Sequence, residues 1–336
     1  FSENDFSAAS GAGEISFGED VISLRPFRDS LIIFCKNSIH RLVGSSSADF
    51  AIQPIAKNIG CLSHFSVQEI GGDLIFLAPD GIRTVAGTAK IADTELGTVS
   101  KQVQKRLNSL SQDQLSNVSS HVIRNKSQYR MYYPTTAQGE SAAKGLIAVL
   151  KRDITSGQVG WQYADIGGIK PMISASGYIS DVEKVIHGDY DGGYIYLQES
   201  GDDFDGTNMS CTYRSTDYNM GDVGVRKNMQ RILLNIEPTG TIQDADLTLA
   251  YDYDDLTAAT PSAYDLTDSP SSSIYGSAIY GASFAATYGG GIVTPLYRQS
   301  VEGSGFSVAL KFTDSSDNPT YTIKGFSLEF TPGGRM

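Results

Sequence analysis

A chain of 336 residues with 40% hydrophobic and 19% charged side chains has the balance of a folded protein, either two domains or one large all-β domain, and this excludes intrinsic disorder. No apolar run approaches the roughly 18 residues that a membrane-spanning helix needs. The formal net charge of -12 argues against a surface that grips nucleic-acid phosphates, which takes clustered Lys and Arg to replace counterions; such acidity either keeps the chain soluble or lines a surface past which nucleic acid slides.

The chain opens at Phe1 in polar sequence, with neither an initiator Met nor the pattern of a signal peptide, which predicts a processed or truncated chain without its first strands. Short β-branched and aromatic runs then alternate with Gly, Asp, Asn, Ser and Pro, the all-β signature. Strands are expected at 21–24, 31–35, 39–43, 65–70, 74–77 and 82–85, then at 122–123, 129–133, 146–150, 159–163, 182–186 and 194–198. Lys36-Asn37-Ser38, Pro79-Asp80-Gly81 and Asp191-Gly192-Gly193 supply the turn residues that tight hairpins need. Two hairpins repeat one pattern: Leu31, Ile32, Phe34, Asn37, Ile39, Leu42 and Gly44 match Leu74, Ile75, Leu77, Asp80, Ile82, Val85 and Gly87. An offset of about 40 residues suits propeller blades, in which each small sheet covers its neighbour, although any two hairpins share such features.

Val99, Val103, Leu107 and Leu110 then fall on one helical face in a stretch free of Gly and Pro. This predicts one short helix near 99–115, capped by Thr98 or Ser100 and packed on a sheet or on a neighbouring subunit. After Gly201 the texture changes: Asp202-Asp203-Phe204-Asp205-Gly206 marks a junction between a β-propeller-like region, 1–200, and an antiparallel β-sandwich-like region, 201–336. Longer strands are expected there at 225–236 and 245–253. A Tyr/Gly-rich loop follows over 258–291, either a contact loop or a plain surface loop. At the end, Phe306, Val308, Leu310 and Phe312 alternate with other residues, as do Phe326, Leu328 and Phe330, with a turn from Asp314 to Pro319. These segments read as an antiparallel pair with one face on a core.

Motifs that carry chemistry are absent from the sequence. His40, His64, His121 and His187 have no second His at metal-ligand spacing, and there is no HExxH, no GxSxG, no GxxxxGK[ST] and no strand-borne GxGxxG. Asp189 and Asp191, then Asp202, Asp203 and Asp205, then Asp252, Asp254 and Asp255 cluster along the chain. Two carboxylates held about 5–10 Å apart serve glycoside hydrolysis, and Asp-Gly loops offer oxygens to calcium, but these lack the phasing and terminal Glu of a calcium loop. Solvated turn chemistry is the plainer reading. Cys35, Cys61 and Cys211 offer neither a disulfide framework nor zinc spacing, and assembly in a reducing cytoplasm is the default. Cys35, inside an apolar run, reads as a small core residue, and Trp161 as core filling. No catalytic, cofactor-binding or metal-binding residue is assigned, and the expectation is a protein that is not an enzyme.

The runs Ile22 to Phe34, Asn58 to Cys61 and Gly71 to Gly81, with Gly303 to Phe306 and the closing Pro332 to Arg335, together resemble virion structural proteins of short-tailed bacteriophages, closest to the tail nozzle or tail tubular class and its stabilisation-protein relatives. The likeness runs over most of the chain and rests on structural phrases, with no active-site residues to carry over. It implies a β-propeller-like body with inserted β domains, with a shortened N-terminal part. It implies a homohexameric ring below the tail adaptor protein, with tail fibre proteins attached and DNA passing through the lumen without specific binding. The implied location is the virion, after assembly in the bacterial host cytoplasm. Carboxylates facing the lumen would keep DNA mobile by repulsion. Two other readings stand beside it: a receptor- or carbohydrate-binding β-rich tail protein, and a glycan-cleaving enzyme with two carboxylates across a cleft.

Overall fold

The computed structural model describes residues 13–46, 49–86, 98–135, 143–152, 159–190, 192–201, 203–238, 244–254, 261–266, 296–316 and 321–335. The chain divides into two compact units, Phe1–Ser200 and Gly201–Met336.

Among the described residues the first unit holds four antiparallel sheets, each a meander of strands in chain order. Sheet one is β1 (Val21–Phe27), β2 (Ser30–Cys35), β3 (Ser38–Val43) and β4 (Ala51–Lys57); sheet two is β5 (Gln68–Ile70), β6 (Asp73–Ala78) and β7 (Gly81–Thr84). Sheet three is β8 (Ser119–Ile123), β9 (Gln128–Pro134), β10 (Ala143–Arg152) and β11 (Val159–Ile166); sheet four is β12 (Pro171–Ile179), β13 (Val182–Asp189) and β14 (Ile195–Gln198).

The stacking follows from which faces are apolar. Ile32 and Phe34 of β2 and Ile39 of β3 share a core with Leu74, Phe76 and Ala78 of β6, and the rings of Phe34 and Phe76 lie 5.2 Å apart. Ile75 and Leu77, on the opposite face of β6, share a second core with Val122, Tyr129, Met131, Leu146 and Ala148 of sheet three. Because both faces of β6 are covered, Leu74 to Ala78 is an unbroken apolar run exposed by 2% or less, as in strands buried on both sides. Each large side chain so buried stabilises the fold by about 1.5–3 kcal/mol. The repeated hairpin is therefore a repeat of packing: Ile32 and Phe34 point onward to sheet two as Ile75 and Leu77 point onward to sheet three. Propeller-like blades describe this arrangement.

Close approaches fix the crossings between sheets. A side chain at Gly60 would place its Cβ 2.2 Å from the Lys36 carbonyl oxygen, so a glycine is what lets the Cys61 N–H reach the Cys35 carbonyl at 2.9 Å. Gly71 and Gly72, at φ of 60° and 76°, make the two-residue turn of the β5–β6 hairpin. β5 is shorter than expected from sequence because His64–Ser66 is a 3-10 turn, in which Ser66 Oγ donates to the Ser63 carbonyl and accepts from the Leu77 N–H. β4 and β12 escape the sequence pattern. The first is an exposed edge strand containing Pro54, and the second is broken up by Ser and Gly.

The helical stretch between sheets two and three is present in pieces: a 3-10 turn over Lys101–Val103, α1 (Gln104–Leu107) and α2 (Gln112–Ser116). The break has a local cause. Ser111 caps α2 through a reciprocal capping box with Gln114. Ser100 caps nothing with its side chain; its Oγ accepts from the Ile82 N–H and donates to Gln104 Oε1, tying the stretch to β7. Val99, Val103, Leu107 and Leu110 pack on the second core.

The second unit is a sandwich of two antiparallel sheets. One runs β15 (Cys211–Arg214), β21 (Val308–Asp314), β17 (Ala245–Tyr251), β18 (Tyr264–Asp265). In the other, β22 (Tyr321–Arg335) lines one edge of β16 (Val225–Pro238), and β19 (Leu296–Ser300) and β20 (Ser304–Gly305) line the other. Ile232 and Leu234 of β16, Leu247 and Leu249 of β17, and Leu310 and Phe312 of β21 fill the space between, with Phe326, Leu328 and Phe330 at its margin. This corrects one expectation. The alternating segments that close the chain are not paired with each other: β21 pairs with β15 and β17, and β22 with β16. Their apolar faces meet the same core from opposite layers.

Candidate assembly surface

The face of sheet three turned away from the apolar core carries Ser119, His121, Arg130 and Tyr132, and polar groups hold sheet four against it. Ser119 and Ser174 hydroxyls meet at 2.9 Å, and the Arg124 and Asn125 N–H groups donate to the Glu183 carboxylate. Buried Arg130 pairs with Glu199 at 2.6 Å and donates to Gln128. Gln198 accepts from the Tyr132 hydroxyl at 3.2 Å and bonds His187 Nδ1 at 3.1 Å, while Lys126 also reaches Glu199. Burial pushes the Glu199 carboxyl up, and the bonds from Lys126 and Arg130 outweigh it, leaving the group below its ordinary range. His121, 1% exposed with neither ring nitrogen bonded, is pushed down to about 3 by burial, with Arg130 and His187 adding to it. Burial lowers His187 as well, against the pull of Asp189.

Strand alternation then decides what sheet four shows outward. β13 sets His187 opposite Ser174 and Tyr196, and Ile186 opposite Ala175 and Leu197. Seats on the inner face are thus mostly polar, with Val185 buried beside them, and the outer face carries Ile173, Ala175, Ile179, Val182, Ile186, Ile195 and Leu197, with Lys184 as its charged member. Ile195 is 76% exposed, Ile179 65%, Val182 53% and Ile173 52%. This inverts the usual order for a sheet with one wet side, and a largely apolar exposed face of this kind marks an interaction site. At the other end of the stack, sheet one turns Leu24, exposed by half, and Ile52 the same way.

The carboxylates singled out by sequence do not converge. Asp189 Oδ2 accepts from the Gly192 N–H, Asp203 Oδ1 from the Gly206 N–H, and Asp252 Oδ1 from the Phe306 and Ser307 N–H groups. Asp254 lies 3.6 Å from Arg214. Asp189 and Asp203 serve their own turns, while Asp252 and Asp254 bond residues distant in sequence; Asp191, Asp202 and Asp255 lie outside the described residues. Trp161 packs at the edge of the second core. Most of the Tyr/Gly-rich loop, 258–260 and 267–291, lies outside the described residues; within it, the Tyr264 hydroxyl accepts from the Glu302 N–H. Sequence reading missed the His121–Arg130–His187 seam. Its one signal was period-2 alternation of polar residues within β9 and β13.

No family model matches the chain, and no curated protein does. Among solved structures, an exo-β-1,3-galactanase from Phanerochaete chrysosporium is similar at 8% identity, over 90% of this chain and 80% of that chain, with a TM-score of 0.20. So loose a likeness carries no argument. No helix among the described residues is long and apolar enough to cross a membrane.

Proposed function

We propose that this chain is a structural protein of a virion, a segment of the tail nozzle or tube of a short-tailed bacteriophage, and that it works as a wall and performs no catalysis. The observation that supports this most is the inverted sheet four, whose exposed apolar face suits a further β layer from a second copy of the chain. Faces at the two ends of one stack differ in sequence, so copies joining end to face make a heterologous contact, the kind that closes into rings. A homohexameric ring fits this reading, with the adaptor and tail fibre proteins attached to it and DNA moving through its lumen. A net charge of -12 suits a duct that repels phosphates.

Negative-stain electron microscopy and mass photometry of the purified full chain test the reading. Six-fold rings are expected, and the paired change Ile186→Asp with Ile195→Asp should leave folded monomers. A wild-type protein that stays monomeric at tens of micromolar, or a doubly substituted one that still forms rings, would overturn it.

A further inference from the structure

The outer face of sheet one gathers three residues that sequence spacing keeps apart. Glu19 precedes β1, Cys35 ends β2 and His40 lies in β3. One ligand atom from each sits within 4.8 Å of the other two. The β2–β3 hairpin pairs Ile33 with His40, so Cys35, two residues beyond Ile33, falls on the same face as His40. Glu19 is brought there by backbone bonds: the Lys36 N–H donates to the Asp20 carbonyl at 2.9 Å, and the Asn37 N–H to Glu19 Oε2 at 2.7 Å.

The hydrogen-bond bookkeeping of this cluster leaves one atom over. Ser38 Oγ bonds both Glu19 Oε1 and His40 Nε2, the latter at 2.7 Å. A hydroxyl has one proton, and an ionised carboxylate can only accept, so Ser38 donates to Glu19 and must accept from His40 Nε2–H. His40 Nδ1 is then a bare lone pair, and it is sealed from solvent with no partner. A ring nitrogen in that state, with its opposite N–H held by a chain leading to a carboxylate, is how a metal-ligating histidine is oriented.

We propose that Glu19, Cys35 and His40 form a binding site for a transition-metal ion of the zinc class. The donor set of thiolate, imidazole and carboxylate is the one zinc takes, with ligand atoms about 3.5 Å apart around a tetrahedral ion. The three ligand atoms, within 4.8 Å of one another, would have to close by about 1 Å around the ion. One thiolate and one carboxylate neutralise a divalent ion, which suits a site where Cys35 is wholly buried; binding displaces the Cys35 proton to solvent. A fourth position is left for water or a group from outside. The ion would clip the segment before β1 onto the hairpin, at the end of the stack opposite sheet four, and the site does not depend on the assembly reading.

The test uses the full chain, stripped of metal by a chelator and titrated with Co²⁺. One equivalent should bind with a thiolate-to-cobalt charge-transfer band, and Zn²⁺ should displace it. Cys35→Ser should abolish the band, and Cys211→Ala, at an exposed thiol, should leave it unchanged. His40→Gln should weaken Co²⁺ binding by at least about a hundredfold, since loss of an outer-shell partner alone costs 10–100-fold. His40 is half-buried, so this variant keeps the test decisive if Cys35→Ser does not fold. Absence of saturable binding, a band that survives Cys35→Ser, a band lost in Cys211→Ala, or unchanged affinity in His40→Gln would overturn the site.

Discussion

Two seams in the first unit join sheets by opposite means. Between sheets one, two and three the contact is mainly apolar: Phe34, Phe76, Ile75, Leu77 and Met131 interlock, and the polar groups that cross it are paired, Gln68 Nε2 donating to the Ser120 carbonyl and the Tyr129 hydroxyl to the Ser66 carbonyl. Between sheets three and four it is a network of Arg130, Glu199, Gln198, Tyr132 and His187 around the unbonded His121. The apolar seam depends mostly on volume. The polar seam depends on every partner being present and on the protonation of its histidines, because a buried polar group left alone costs more than its bond contributes. The inverted sheet follows from this: with most of its polar side chains spent on the seam, sheet four turns a largely apolar set outward, Lys184 apart.

The largest break of this comparison should come from the apolar side. Phe76→Ala removes a fully buried ring that faces Phe34 and should cost about 3–5 kcal/mol, read as an earlier urea transition of the first unit. Glu199→Gln, on the polar side, leaves buried Arg130 without its counter-charge. The cost should be about 2 kcal/mol, less than for a fully buried pair because the Glu199 side chain is 30% exposed.

Acid should separate the seams further. His121 is held near 3 when folded, against about 6.5 when unfolded, so below pH 6.5 the unfolded chain takes up a proton that the folded one refuses. Stability contributed this way is intact above pH 6.5 and declines as pH falls from there toward 3, with His187, also lowered, acting in the same direction. At pH 5 the loss from His121 should be about 2 kcal/mol. His121→Leu should flatten that slope in chemical denaturation at pH 7 and 5; an unchanged slope would show that the seam does not carry the dependence. The smallest effect on folding is expected at the outer face: Ile186→Asp should change monomer stability by less than about 0.5 kcal/mol while weakening self-association, measured by sedimentation.

Legibility in the sequence tracked how local each cause is. The hairpins at 31–44 and 74–85 were readable because turn residues and apolar alternation lie within a few positions of each other. The helix was readable as a helical stretch; its division was missed, although Ser111 and Gln114 stand at the spacing of a capping box. Alternation in 306–312 and 326–330 correctly marked one apolar face each and misled on pairing, because two strands covering a common core from opposite layers carry the same pattern as two neighbours in one sheet. The His40 cluster was invisible as a motif: its members meet through one turn and a strand lead-in, at spacings that belong to no linear signature.

The all-β class, the position of most strands and the absence of linear catalytic motifs were thus determined by the amino-acid order itself, since pleat periodicity and turn preference act between near neighbours. Which sheet covers which, the polar seam, the outward apolar face and the meeting of Glu19, Cys35 and His40 were decided only in three dimensions. The physical reason is that a strand's alternation specifies two faces but names no partner for either; partners are chosen by complementarity between segments far apart in the chain, at the cost of closing the loops between them.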